Sequence, residues 1–262
     1  MTTRRHFTAM IAAVAGSLTG APAAFADTLD NIMKSGVLRV AVPQDLPPWG
    51  FVGPDMNLQG YDIDMAKLIA AKMGVKLHMV PVTSENRIPY LQTNKVDLII
   101  SSLGKNSERA KVIDFSSAYA PFFSGVFGPA DIKVKSAVDL AGMTVAVTRG
   151  NIEDMALAKI APSSTKIMRY GDNQSTIAAF LSGQTQLIDT DSSTVAVIMA
   201  RNPPRKPELK FILQSSPCYV GVNKGQPALM AKVNAIIAAA KADGTLNKIC
   251  ETWLKQPLPA SF

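Results

Sequence analysis

The chain has few of the residues from which metal centres are usually built. Its 262 residues include only two cysteines and two histidines, so a zinc site that depends on these ligands is excluded by count. Aromatic residues make up 6% of the sequence and no basic cluster alternates with them, which argues against a nucleic-acid-binding surface. Beyond the N-terminus, no apolar run approaches the roughly 18 residues of a membrane span. The composition therefore favours one or two globular domains without a metal or another cofactor.

Motifs of catalysis are also missing. The sequence contains no G-x-S-x-G, H-E-x-x-H or G-x-G-x-x-G pattern, and each of these marks a well-defined kind of active site. Gly104-Lys105 is followed by asparagine and lacks the earlier glycine of a phosphate-binding loop. His78 lies within a strand pattern, where we expect a structural or surface role. We therefore predict a protein without catalytic residues.

The N-terminus has the pattern of an export signal. Arg4 and Arg5 precede an uncharged stretch that ends in Ala24-Phe25-Ala26, a small-residue cleavage pattern. We expect residues 1–26 to be a signal peptide and the mature protein to lie in the periplasm. The paired arginines also fit a twin-arginine signal, which implies export after folding. A general secretory signal with two chance arginines is the alternative.

The rest of the chain alternates between strand and helix patterns. Strands are predicted at 37–42, 75–80, 96–100, 143–147, 166–169 and 187–188. Helices are predicted at 61–73, 84–93, 152–160, 172–181 and 193–200, and two more around 229–240 and 246–254. This alternation is typical of α/β folds, in which helices cover both faces of a mostly parallel sheet. No Gly/Ser-rich linker is present, so any division into domains must use short crossings.

Five segments carry a pattern that is specific when they are taken together and in order. They are GYDID at 60–64, TSENRIPYLQ at 83–92, ISS at 100–102, ER at 108–109 and WLKQPLP at 253–259. In this combination the chain resembles the polar amino-acid-binding proteins of ABC importers, solute-binding protein family 3. The second segment is most similar to glutamate/aspartate-binding members. The resemblance covers essentially the whole mature chain.

The resemblance implies a two-lobed α/β fold, the type II periplasmic-binding-protein fold. Each lobe is a mostly parallel sheet flanked by helices, and two crossing strands join the lobes. Lobe 1 is expected at 27–118 and 219–262, and lobe 2 at 119–218. In this family an amino acid binds between the lobes, and the closed form docks on a membrane permease. The implied partners of this monomer are therefore a small amino acid and an ABC permease, with no nucleic acid.

The zwitterionic charge of a free amino acid indicates which residue types its receptor needs. The α-carboxylate needs a cation, for which the planar fork of arginine is well suited, and the α-ammonium needs an anion. By resemblance, Arg109 binds the carboxylate and Asp191 the ammonium, with Asp189 as a competing assignment. Ser102 would add its hydroxyl or backbone N–H, and Ile152, at a helix start, its backbone N–H. A surface arginine and a helix N-cap are the alternatives for Arg109 and Asp191.

Arg87 bears on the side chain of the ligand. In acidic amino-acid binders the arginine of this segment meets the distal carboxylate, so the resemblance favours glutamate or aspartate. A structural arginine is the alternative. Two departures keep a neutral polar ligand open, since Pro43 and Tyr170 replace an arginine and a histidine of acidic binders. The predicted ligand-binding set is completed by Trp49, Ser84, Gly104 and Tyr170.

An enzyme on the same scaffold is the alternative function. Exported dehydratases similar to this family eliminate water from amino-acid-like substrates with an acidic residue in the cleft. Glu153, beside a predicted helix start, is the first candidate for that role. A receptor would return its ligand unchanged, so turnover distinguishes the two functions.

The two cysteines allow a disulfide. Cys218 and Cys250 would lie in an oxidising compartment, which favours a bridge between them. Cys250 also lies on the apolar stripe of its helix, so a buried free thiol is the alternative.

Overall fold

The computed structural model describes residues 28–259 and 262. The predicted signal peptide, 1–26, lies outside these residues. The helices are α1 Thr28–Ser35, α2 Tyr61–Met73, α3 Arg87–Gln92, α4 Ser107–Val112, α5 Ile152–Ile160, α6 Asn173–Leu181, α7 Ser192–Ala200, α8 Pro227–Ala242 and α9 Thr245–Leu254, with a 3-10 turn at Ala137–Leu140. The strands are β1 Val37–Val42, β2 Asp45–Leu46, β3 Gly50–Val52, β4 Leu58–Gln59, β5 Lys76–Pro81, β6 Leu98–Ile99, β7 Ile113–Ala120, β8 Phe123–Gly128, β9 Thr144–Thr148, β10 Lys166–Tyr170, β11 Leu187–Asp191, β12 Glu208–Ser215 and β13 Cys218–Asn223.

Two five-stranded sheets form the centres of two lobes, with the strand orders β5-β1-β6-β13-β7 and β10-β9-β11-β8-β12. In the first sheet, β1 runs parallel to β5 and β6, whereas β13 runs antiparallel to β6 and β7. In the second, β9 runs parallel to β10 and β11, whereas β8 runs antiparallel to β11 and β12. Each lobe thus has a parallel half and an antiparallel half, and β2, β3 and β4 form a small separate sheet.

The antiparallel halves contain the strands that connect the lobes. β7 of the first sheet ends at Ala120 and β8 of the second begins at Phe123. On the return path β12 ends at Ser215 and β13 begins at Cys218. The chain therefore crosses between the lobes twice, each time through a very short connection, as the type II fold requires.

Apolar helix faces cover the sheets. The stripe of α8 and α9, which includes Val233, Ile237 and Leu246, is fully buried in the core of the first lobe. In the second lobe, Leu157 of α5 packs in one apolar cluster and Phe180 of α6 in another. Helices thus lie on both faces of each sheet, as the alternation of the sequence predicts. No helix within 28–259 has both the length and the apolarity that a membrane crossing requires.

The predicted disulfide is wrong. Cys218 in β13 and Cys250 in α9 are both completely buried and unbonded within the same apolar core. Burial raises the pKa of the Cys218 thiol well above its ordinary value and that of Cys250 to about 11. Both residues therefore act as neutral, apolar core side chains.

The parallel halves bring the candidate site residues together. β6 leads into Ser101 and Ser102, β9 leads into the start of α5, and β11 ends at Asp191. The carboxyl ends of parallel strands are where open α/β sheets bind ligands. Here these ends belong to two different sheets, and they face each other across the cleft between the lobes.

Candidate functional site

The cleft between the lobes is closed down to a narrow cavity of about 10 Å³ with charged and polar walls. Its lining residues are Leu46, Ser84, Arg87 and Ser102 from the first lobe, Phe122 from a crossing, and Asn151, Glu153, Asn173, Thr190 and Asp191 from the second lobe. A wider groove of about 220 Å³, bounded by Ile177, Leu181 and Val197, is mostly apolar. The buried charges therefore single out the cleft cavity as the candidate site.

Asp191 combines two roles. It is the N-cap of α7, and its carboxylate accepts hydrogen bonds from the backbone N–H groups of Ser193 and Thr194, both at 3.0 Å. Two side chains also donate to it, the Thr194 hydroxyl at 2.6 Å and Trp49 Nε1 at 3.0 Å. Burial raises its pKa, while the bonds from Thr194 and Trp49 lower it. These donors hold a buried carboxylate rigidly at the wall of the cavity.

Trp49 reaches Asp191 from the other lobe because of a close backbone approach. Gly60 has a φ of 137°, and a Cβ at this position would lie 2.4 Å from the Trp49 carbonyl oxygen. That oxygen accepts a hydrogen bond of 2.8 Å from the Asp62 backbone N–H, in the first turn of α2. The indole is fully buried against the rings of Tyr61 and Phe122. A residue with a side chain at position 60 would therefore displace Trp49.

Arg87 lies in the wall of the cavity, and 2% of it is exposed. Its Nη1 donates to the carbonyl oxygen of Ser101, whereas its buried Nε has no hydrogen-bond partner among the described residues. Burial lowers the pKa of the guanidinium, and the nearby Glu153 opposes that shift. A buried cation with an unused donor is suited to a ligand carboxylate.

Arg109 bridges the two lobes. Asn106, the N-cap of α4, accepts from the Arg109 backbone N–H at 2.8 Å and so orients the residue. The guanidinium donates to the Gly104 carbonyl oxygen at 2.7 Å and to that of Gly150, in the opposite lobe, at 2.9 Å. Burial and the neighbouring Arg87 lower the pKa of Arg109 to about 9, although Glu153 raises it. Arg109, the residue predicted to bind the ligand carboxylate, thus lies beside the cavity and donates to backbone oxygens.

Ser102 borders the cavity, but its backbone N–H is already used. That N–H donates to Asp62 Oδ2 at 2.7 Å, and the Tyr119 hydroxyl donates to Asp62 Oδ1 at 2.6 Å. Burial raises the pKa of Asp62 to about 7, against the effect of these two bonds. Of the two contributions expected from Ser102, the hydroxyl is therefore the one that remains available. Asp62 was not among the predicted site residues, although it belongs to the GYDID segment.

Two more carboxyl groups of the second lobe lie near Asp191. Glu153, in the first turn of α5, is 4% exposed and lines the cavity. Its pKa is raised to about 7, because burial and the nearby Asp191 outweigh the lowering effect of Arg87 and Arg109. Asp189 is 1% exposed, and neither of its carboxyl oxygens has a hydrogen-bond partner in the described part of the chain. Burial raises the pKa of Asp189 well above its ordinary value, so it is a neutral group. Within 28–259, no cluster of three or more acidic, histidine or cysteine side chains is arranged for a metal.

Gly104 and Ile152 are matched to each other across the lobes. A Cβ at Gly104 would lie 2.5 Å from Ile152 Cδ1. Ile152, the first residue of α5, is 2% exposed, and Asn151 caps the helix by accepting from the Asp154 backbone N–H at 2.8 Å. The glycine therefore makes room for a buried isoleucine.

The predicted residues fall into three groups by position. Ser84, Arg87, Ser102 and Asp191 line the cavity. Trp49, Gly104, Arg109 and Ile152 contact or flank this wall through the bonds and packing described above. Tyr170 instead belongs to an apolar cluster of the second lobe with Phe180 and Ile188, and its buried hydroxyl has no partner among the described residues. Of the lining residues, Phe122, Asn173 and Thr190 carried no signal in the sequence that pointed to the cavity.

Known proteins with related sequences and structures agree with this architecture. The chain is 28% identical over 235 residues to the ABC transporter glutamine-binding protein GlnH of Bacillus subtilis, with 88% of this chain and 85% of that protein covered. It is 29% identical over 281 aligned positions to the glutamate/aspartate import solute-binding protein of Salmonella typhimurium, with 99% and 91% covered.

Two solved structures are similar over most of their length. One is an ancestral amino acid-binding protein described as a precursor of cyclohexadienyl dehydratase, with a TM-score of 0.79, 33% identity and coverage of 87% of this chain and 99% of that one. The other is holo ArgBP from T. maritima, with a TM-score of 0.75, 30% identity and coverage of 84% and 98%. Residues 38–256 match the description of bacterial extracellular solute-binding proteins, family 3. The chain belongs to this family of solute-binding proteins.

Proposed function

We propose that this protein is an extracytoplasmic receptor that captures a free amino acid between its lobes and delivers it to the permease of an ABC importer. The observation that carries the proposal is the cavity between the lobes. A buried cationic side chain, Arg87, and a buried anionic one, Asp191, both line it. A zwitterion needs both charges, and an apolar or singly charged solute does not. Relatives named for glutamine and for glutamate/aspartate support the same class of ligand.

The backbone of the ligand would be held by groups from both lobes. Asp191 would accept from the α-ammonium, because its position is fixed by the start of α7. Arg109 and the backbone N–H of Ile152, at the start of α5, would hold the α-carboxylate. Arg109 already contacts both lobes through Gly104 and Gly150, so ligand binding and lobe closure would depend on the same side chain.

The side chain of the ligand would be acidic, with a polar side chain as the second possibility. Arg87 lines the cavity with an unused buried donor, and a distal carboxylate would satisfy it. The missing arginine and histidine of acidic binders, at Pro43 and Tyr170, leave Arg87 as the main cation for this group. If Arg87 stayed buried without this carboxylate partner, the binding free energy would be less favourable by on the order of 2–5 kcal/mol.

The location and architecture form part of the same proposal. The signal peptide would direct the monomeric chain to the periplasm. The lobes would comprise 27–118 with 219–262, and 119–218. In support, the chain passes from one sheet to the other within about three residues of these bounds, between Ala120 and Phe123 and between Ser215 and Cys218. The receptor would return its ligand chemically unchanged, in contrast to a dehydratase.

Calorimetric titration of the unfolded, dialysed and refolded protein with the common amino acids tests the proposal. We expect glutamate or aspartate to bind with micromolar or tighter affinity and to be recovered intact by NMR after prolonged incubation. Arg87→Ala should weaken acidic ligands by about 100-fold. Arg201→Ala, at the exposed arginine that follows α7 as its C-cap, should leave the affinity unchanged.

Each part of the proposal has its own contrary result. Absence of binding to every amino acid would refute the receptor function, and conversion of the ligand would favour the enzyme. Equal affinity of wild type and Arg87→Ala would refute the acidic specificity only. Uptake of the bound amino acid by cells lacking this protein, at the wild-type rate, would refute delivery to a permease.

A further inference from the structure

Glu153 occupies a position that the capture of an amino-acid backbone does not explain. It is the second residue of α5, lines the same cavity as Arg87, and is 4% exposed. Among the described residues, the hydrogen bond that stabilises its carboxylate comes from its own backbone amide. Two other buried carboxylates nearby are well supplied with donors, since Asp191 accepts four hydrogen bonds and Asp62 accepts two. Glu153 therefore has free hydrogen-bonding capacity directed at the ligand space.

The groups around Glu153 leave it a specific task. Its charged and titratable neighbours are Arg87 on α3, Arg109 on α4, Asp191 and Asp189 on β11, and Cys218 on β13. Burial keeps Asp189 and Cys218 neutral. This inference rests on the proposed function, in which Asp191 and Arg109 hold the two charges of the amino-acid backbone. Arg87 and Glu153 then remain for the distal group of the ligand.

These two residues set opposite requirements. Arg87 can only donate hydrogen bonds, whereas an ionised glutamate can only accept them. A carboxamide satisfies both residues, because its oxygen accepts from Arg87 and its NH₂ donates to Glu153. A carboxylate satisfies Arg87 but would face an ionised Glu153 with like charge and no shared proton. With a proton on Glu153, the same carboxylate accepts from both side chains.

We propose that Glu153 is a specificity-determining residue, whose own protonation state determines which distal group of the ligand the site binds. It accepts from a carboxamide when it is ionised and donates to a carboxylate when it is protonated. At a pH where Glu153 is ionised in the free protein, binding of an acidic amino acid therefore transfers one proton from the solvent to Glu153, and binding of its amide transfers none. The choice between glutamate and glutamine consequently depends on pH, and Glu153 is the group that makes it do so.

The test is the ratio of the dissociation constants for glutamate and glutamine between pH 5.5 and 8.5. The ratio cancels every effect that the shared amino-acid backbone exerts. For the wild type it should rise by about tenfold per pH unit above the point where Glu153 ionises. In Glu153→Gln it should be independent of pH, and glutamate should bind about tenfold more tightly at pH 8 than in the wild type. Glu108→Gln, at an exposed glutamate that pairs with Lys111, should retain the wild-type profile.

A second measurement counts the proton directly. Calorimetry near pH 8 in two buffers with different ionisation enthalpies should show uptake of about one proton with glutamate and none with glutamine. A ratio that is constant with pH, or that changes equally in Glu153→Gln, overturns this inference and leaves the receptor function standing. The inference is also overturned, and the receptor function again stands, if the protein binds some other amino acid but neither glutamate nor glutamine. Failure of all amino acids to bind the refolded protein overturns the receptor function itself.

Discussion

The two walls of the cleft carry opposite charges. The first lobe contributes the guanidinium groups of Arg87 and Arg109, and the second contributes the carboxyl groups of Glu153 and Asp191. Within each wall like charges disfavour one another, since Arg87 lowers the pKa of Arg109 and Asp191 raises that of Glu153. Across the cleft the shifts are opposite, because Glu153 raises the pKa of both arginines. Closing the lobes therefore relieves a repulsion that each wall has alone, which makes the charge pattern itself a force for closure.

The walls also differ in how their charges are held. On the second lobe, Asp191 is bound to the first turn of a helix by two backbone N–H groups. On the first lobe, the two arginines donate to carbonyl oxygens, and one of those oxygens belongs to the opposite lobe. The anionic wall is thus rigid by itself, whereas part of the cationic wall depends on closure. Four substitutions would break or sharpen this contrast.

The largest effect is expected from Asp191→Ala on the anionic wall. The change removes the predicted ammonium partner and a helix cap, so ligand affinity should fall by at least about 100-fold and the free energy of unfolding by about 1–2 kcal/mol. Calorimetry and chemical denaturation measure the two effects. Asp172→Ala is the matched control, because Asp172 caps α6 by accepting from the Ser175 backbone N–H at 2.7 Å. Asp172→Ala should lower the free energy of unfolding by a similar amount and leave ligand affinity unchanged. If the two variants lost affinity equally, Asp191 would be only a structural helix cap.

Arg109→Ala on the cationic wall should have the next largest effect. Loss of the guanidinium removes bonds to both lobes, so we expect about 30-fold weaker binding, on the order of 2 kcal/mol. Small-angle scattering should show a larger radius of gyration for the variant at the same ligand concentration. Arg109→Lys keeps the charge without the planar fork, so its ligand affinity should lie between those of the wild type and Arg109→Ala. A lysine variant with full affinity would show that charge alone, and not the bridge between the lobes, matters here.

Glu153→Gln tests the repulsion within the anionic wall through stability. The pKa of Glu153 is raised from 4.5 to about 7 in the folded protein, so the folded state binds more protons between these values and stability falls as the pH rises through this window. The variant lacks this loss. Its stability relative to the wild type should therefore increase from about pH 4.5 to 7, by on the order of 2 kcal/mol, and then level off.

Denaturant titrations at several pH values measure this difference. Glu108→Gln should show no such gain, because Glu108 is exposed and its pKa is lowered by Lys111. A wild type and a Glu153→Gln variant with parallel profiles would mean that Glu153 is not desolvated in the folded protein.

Trp49→Phe should have the smallest of the four effects. It removes the Nε1 bond to Asp191 and keeps an aromatic ring beside Tyr61 and Phe122. We expect about tenfold weaker ligand binding, close to the value of one hydrogen bond to a charged group. Trp253→Phe is the control, because Trp253 Nε1 donates to Asp64 at 2.8 Å outside the cleft. If both variants weaken binding alike, the contact between Trp49 and Asp191 has no special role.

Local patterns in the sequence predicted much of the fold. The strand at 37–42 and the helices at 61–73 and 152–160 have the predicted bounds, because their apolar spacing and flanking glycine or asparagine are local signals. The strands β7, β8, β12 and β13 were not predicted, and neither was the small sheet of β2, β3 and β4. Their pairing joins segments that are distant in sequence, as with Ala118 and Tyr219. Hydrophobic periodicity describes single segments and does not indicate which distant strand a segment pairs with.

The candidate site divides in a similar way. Arg87, Ser102 and Asp191 were predicted from motifs, and they line the cavity, although their contacts with a ligand stay predictions. The use of the Ser102 N–H by Asp62 was not foreseeable, since the two residues are 40 positions apart. Tyr170 was placed by its position in a motif, yet its ring packs in the second lobe with Phe180. Which face a residue turns toward depends on packing, and a motif does not report it.

The sequence by itself determined the α/β class, the family and the residue types that the site can use, because each of these is written in local spacing and in short ordered motifs. The tertiary structure alone decided that two cysteines stay apart, that Gly104 makes room for Ile152, and that the carboxyl groups gather opposite the arginines. Those outcomes depend on distances between segments that are far apart in the sequence and meet only in the folded chain. Burial at that meeting point then sets the charges, since desolvation, more than residue type, shifts the pKa values of the cleft.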